Sequence, residues 1–124
     1  MIKIGMGIGS AYFAARNAGS AGSPPVLIDA VFVSGAGTED ANGLFIPDGT
    51  SGGRTAYTNA NGVGFVWNGE EYRIGASGGM GDLYYISDNI AGAPNSNPWD
   101  GIYLTSGDGT DPAPTVRQAT SADI

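Results

Sequence analysis

Turn-forming clusters interrupt this chain so often that no long regular element can form. Beyond Pro25 the punctuation is Ser34-Gly35-Ala36-Gly37, Asn42-Gly43, Pro47-Asp48-Gly49, Asn61-Gly62, Asn68-Gly69 and Ser77 to Gly81. Glycine and asparagine tolerate positive φ and proline fixes φ, so each cluster reverses or breaks the backbone. With 22 glycines and 7 prolines in 124 residues, long helices are hard to sustain. No window carries a sustained 3.6-residue apolar period. The best helical candidate, Ser10 to Asn17, is bounded by glycines.

Short β-like runs lie between the turns: Val26 to Val33, Leu44 to Ile46, Thr55 to Thr58, Val63 to Trp67, Glu71 to Ala76, Leu83 to Ile86 and Ile102 to Thr105. This spacing predicts an all-β fold, a small antiparallel β-sandwich or partly open barrel of about seven short strands. The sharpest local signal is the two Asn-Gly pairs that flank the fourth run, Asn61-Gly62 and Asn68-Gly69, and the second predicts a hairpin closed by a type I′ turn. Phe65 and Trp67 then share one face, opposite Tyr72 and Ile74, and organise the core.

Residues 1–25 read differently. Ile2, Ile4, Met6 and Ile8 alternate with lysine and glycine in the period of a strand with one apolar face. Asn17 to Pro25 follows as a linker rich in glycine, alanine and serine. The expectation is an extended N-terminal arm on a single β domain of residues 26–124, which ends in a polar tail. The arm is either an anchor that adds to another chain's sheet edge or a strand that folds back on its own domain. As an anchor, its docking residues are Ile2, Ile4, Met6, Ile8, Tyr12 and Phe13. The single positive charge and the interspersed glycines argue against a cleaved secretory signal. No apolar stretch is long enough for a transmembrane helix.

Composition narrows function sharply. The chain has no cysteine and no histidine, and Lys3 is its only lysine. Thiolate chemistry, disulfides, the usual general base near neutral pH and Schiff-base catalysis all lose their residues. Glu70-Glu71 does not mark a pair of catalytic carboxylates, because strand neighbours point to opposite faces. Asp108 to Asp111 and Glu39 to Asn42 lack calcium-loop spacing and read as solvated turns. The chain is therefore expected not to be an enzyme and to carry no metal or cofactor. Its net charge of −7, spread over scattered acids, repels phosphate backbones and excludes nucleic acid as a partner.

Aromatic residues concentrate late in the chain. Trp67 and Tyr72 read as core. Tyr84-Tyr85 must split between two faces of a strand, and Trp99 stands beside Asp100 in a long polar loop. Tyr84, Tyr85, Trp99 and Asp100 are thus the candidates for stacking on a sugar ring.

The order of short motifs is also familiar. It runs Val-Ser-Gly-Ala-Gly, Asn-Gly-Leu-Phe, Gly-Arg-Thr-Ala-Tyr, Gly-Phe-Val-Trp-Asn-Gly, Tyr-Arg-Ile, Leu-Tyr-Tyr-Ile-Ser and Pro-Trp-Asp-Gly-Ile-Tyr. Over roughly residues 26–115 this resembles a small β module of accessory virion proteins of tailed bacteriophages, of tail-fibre, head-fibre, spike or decoration type. One departure is Tyr72, where tryptophan is more usual in such modules. The resemblance implies location in the virion and other virion proteins (capsid, connector or tail) as partners. It assigns no catalytic or ligand-contacting residue. A homo-oligomer is expected as well, fibres being commonly trimeric, and the exposed aromatics leave a carbohydrate-binding module for a host-surface glycan as the alternative function.

Overall fold

The computed structural model describes residues 24–88 and 96–124. The arm residues proposed for docking, Ile2 to Phe13, lie outside them. Among the described residues the chain is all-β, with three short 3-10 turns and no α-helix. Eight strands form one antiparallel sheet: β1 Leu27–Ser34, β2 Gly43–Ser51, β3 Arg54–Thr58, β4 Gly64–Trp67, β5 Tyr72–Gly75, β6 Leu83–Ser87, β7 Tyr103–Thr105 and β8 Thr115–Thr120. In space the order is β7-β6-β5-β4-β3-β2-β1-β8, a meander whose last strand returns beside the first.

That order forces curvature. Eight flat strands at about 4.8 Å spacing would hold β7 and β8 about 34 Å apart. The nine residues Ser106–Pro114 that join them could just span this at full stretch, about 35 Å. They are not stretched: the Ser106 and Asp108 amides bond back to the Tyr84 and Leu83 carbonyls at 2.9 and 2.8 Å. The sheet accordingly curls into a half-barrel, and this connection crosses its mouth. The Gly37 amide meets the Pro112 carbonyl there at 2.9 Å. A Cβ on Gly37 would sit 2.2 Å from the Asp111 carbonyl oxygen, so only glycine permits the approach.

The concave side is the core. Cross-strand pairing aligns Val31 with Phe45, Tyr57 with Phe65, Phe65 with Ile74, and Ile74 with Tyr85. Phe65 is the hub, in edge-to-face contact with Phe45, Tyr72 and Tyr103 at centroid distances of 5.8, 6.0 and 5.3 Å. Such pairs contribute about 0.5–1.5 kcal/mol each beyond the area they bury. The expected alignment of Phe65 and Trp67 opposite Ile74 and Tyr72 is present.

Three details depart from expectation. The C-terminal residues, expected as a polar tail, form β8, which pairs with β1 from Ser34↔Thr115 to Leu27↔Thr120. The β4–β5 hairpin closes through four residues, Asn68 to Glu71, not a two-residue type I′ turn. Asn68 Oδ1 accepts the Glu70 and Glu71 amides, both at 2.9 Å, so the side chain satisfies what the tighter turn would have left to the ladder. Finally, β2 runs on through Pro47-Asp48-Gly49. Its pairing with β1 ends at Phe45, so the missing Pro47 amide costs no ladder bond on that side, and a register shift before Thr50 absorbs the turn sequence.

Candidate functional site

Where β1 and β3 meet the Ser96–Trp99 segment, the structure opens a polar cleft of about 460 Å³. Its walls include Asp29, Arg54, Tyr57, Tyr72, Asn97 and Trp99. The volume falls in the range of small-ligand sites.

The cleft is built from the core outward. Trp67 and Tyr72 pair directly across β4 and β5, with ring centroids 5.1 Å apart. Arg54, the first residue of β3, places its guanidinium carbon 3.7 Å from the centre of the Trp67 ring and 5.5 Å from that of Tyr72. It donates to the Tyr72 hydroxyl and to the Ser96 carbonyl, both at 3.3 Å. The cation thus links the sheet to the segment that carries Trp99.

On the other wall the Tyr57 hydroxyl donates to Asp29 Oδ1 at 2.8 Å. Burial and the hydrogen bond to this carboxylate push the Tyr57 phenol well above its ordinary pKa, which keeps it protonated as a donor. Asp29 itself is exposed. Burial, with Tyr72 and Asp100 nearby, raises the Tyr103 phenol too, and its hydroxyl donates to the Pro98 carbonyl. That bond pins the Ser96–Trp99 segment onto β7. The indole of Trp99 is half-buried and packs against the core cluster while it lines the cleft.

Of the residues singled out for sugar stacking, only Trp99 lines this cleft. Asp100 shapes it indirectly, since its Oδ2 accepts the Asn97 amide at 2.9 Å and so closes the turn that presents Trp99. Tyr84 is half-buried at the margin of the core. Tyr85 requires a correction: it is completely buried, so its ring offers no face to a ligand. The inward side of β6 took Tyr85 because Ile74 opposite it also faces the core.

Asp29, Arg54 and Tyr57 were not anticipated. Asp29 interrupts an otherwise apolar strand, and that interruption was the one local sign that β1 is solvated there.

A second hollow of about 400 Å³ lies between β2 and β3, lined by Leu44, Ile46, Ala60 and neighbouring amides. Those amides already hold turns. Asn42 exchanges two bonds with Ala36, and Asn59 bonds the Asp40 carbonyl and the Asn61 and Val63 amides. The hollow offers a ligand mainly carbon.

No protein-family model, no curated protein and no solved structure matches the chain.

Proposed function

We propose that this chain is a non-enzymatic accessory structural protein of a phage virion, a decoration, head-fibre or tail-fibre-associated module that docks through its N-terminal arm. The observation that carries this reading is the character of the arm's root. Val26 and Leu27 are 61% and 67% exposed, and the C-terminal Ile124 is 85% exposed. The start of the β domain is tied to the C-terminal turn there, with the Ser121 amide on the Val26 carbonyl at 2.9 Å and the Val26 amide on Ser121 Oγ at 3.1 Å. An exposed apolar margin where the arm's sequence joins the domain, taken with the alternating apolar residues Ile2, Ile4, Met6 and Ile8 of that sequence, supports docking of arm and root on a larger assembly. Among the described residues β7 and β8 are the two edges of the sheet, and self-association, as a trimer for example, would cover them.

The test is incorporation. Particles assembled with the full chain and with residues 26–124 alone are compared for copy number by quantitative mass spectrometry and cryo-EM. The truncated chain should be lost from the particle. Incorporation at full occupancy without the arm would overturn the reading.

A further inference from the structure

We propose that the cleft between Asp29, Arg54 and Trp99 is a binding site for a neutral saccharide. The chemistry of its walls selects the ligand class. Asp29 brings an exposed carboxylate and Arg54 a guanidinium to the same cleft, so a net charge of either sign on the ligand meets opposition as well as attraction. A phosphate or polyanion also meets a protein of net charge −7. Neighbouring hydroxyls suit such walls, because each can donate to a carboxylate and accept from a guanidinium.

The second requirement of a pyranose is an apolar surface for its C–H face. Trp99 supplies it: the residue lines the cleft and is half-buried against the core, which holds it in place. A rigid aromatic loses little conformational entropy on binding. Rigidity extends to the polar groups. Arg54 is held over Trp67, and Asp29 Oδ1 is oriented by Tyr57 at 2.8 Å. A site of this kind is preorganised, with its donors and acceptors set before the ligand arrives. It does not rest on docking of the arm, because the isolated chain contains every residue invoked.

The experiment uses the full 124-residue chain. It is applied to an array of galactose-, glucose- and N-acetylhexosamine-terminated glycans alongside sialic-acid-terminated ones, and hits are measured by calorimetry. Neutral glycans should bind. Asp29→Asn keeps the acceptor for Tyr57 but removes the charge, and should weaken binding about tenfold or more with the fold intact by circular dichroism. Trp99→Phe should weaken it as well, whereas Met80→Ala, on an exposed turn away from the cleft, should not. Absence of any neutral-glycan signal, binding confined to sialylated glycans, or affinity unchanged in Asp29→Asn would each overturn the proposal.

Discussion

The buried hydroxyl of Tyr85 accepts the backbone amide of Thr38 at 2.9 Å, across the mouth of the half-barrel. The same oxygen donates to the Thr110 carbonyl at 2.7 Å, and the Thr110 amide returns to Thr38 Oγ1 at 2.9 Å. One side chain from β6 therefore ties the β1–β2 loop to the β7–β8 connection. Tyr85→Phe keeps the ring but leaves an amide and a carbonyl without this partner. It should destabilise the chain by about 1–3 kcal/mol. Urea denaturation measures the loss, and hydrogen exchange at Thr38 should accelerate more than exchange at Phe65. Equal exchange changes at both sites would show that the bond does not fasten the mouth.

Arg54 on Trp67 has a different role, since it joins the Ser96–Trp99 segment to the sheet. Arg54→Met should cost about 1 kcal/mol from the lost cation–π contact. Arg54→Lys should recover little of it, because an ammonium cannot stack on the indole and bond the Tyr72 hydroxyl and Ser96 carbonyl together. Indole fluorescence should shift in both variants, because Arg54 covers Trp67 and holds the segment that carries Trp99. Full recovery of stability by lysine would count against stacking as the cause.

Seven of the eight strands were legible because each is a short run rich in apolar, β-branched or aromatic residues set between turn-forming clusters. β8 was not. In Thr115-Val-Arg-Gln-Ala-Thr120 only Val116 and Ala119 are apolar, and the partner strand β1 lies more than eighty residues away. A strand at a sheet edge needs less apolar surface, so its pattern fades into that of a tail. The cleft was half legible for the same reason. Trp99 stood out locally as an aromatic in a polar loop. Asp29, Arg54 and Tyr57 become neighbours only when β1 and β3 take their places in the curled sheet, and spacing along the chain says nothing about that. Tyr85 was misread because either tyrosine of the pair could face inward until the register with Ile74 was known.

Gly64 marks where the outer face of the sheet is covered. The Gly78 amide bonds the Gly62 carbonyl at 2.9 Å, and a Cβ on Gly64 would lie 2.0 Å from the Gly78 carbonyl carbon. Backbone on both sides leaves no flexible atom to give way. Gly64→Ala should therefore displace the Ser77–Gly79 turn and cost about 3 kcal/mol, the upper end of the usual overpacking range. Thermal denaturation would show a fall on the order of 10 °C for a domain of this size. A stability within 0.5 kcal/mol (about the scatter of surface substitutions) would mean that the turn does not pack on β4 as described.

The C-terminal turn carries an acid-sensitive clasp. Arg117 donates through both terminal nitrogens to the two carboxylate oxygens of Asp123 at 2.8 Å, and the Thr120 amide adds a third bond to Asp123 Oδ2 at 2.8 Å. The Arg117 hydrogen bonds, then the Thr120 amide, lower the Asp123 carboxyl to about 2. An unfolded aspartate titrates near about 3.9, so the folded state binds the proton less well than the unfolded one. The clasp thus contributes its full stabilisation above about pH 4 and loses it as the pH falls through about 2. Carboxyl-carbon NMR titration should find the Asp123 midpoint well below that of an unperturbed aspartate, and Arg117→Gln should move it upward. In the same variant the Val26–Ser121 bonds at the arm's root should exchange faster at neutral pH, because the turn that holds Ser121 has lost its anchor. An Asp123 midpoint near 4 in the unaltered chain would show that the clasp is open in solution.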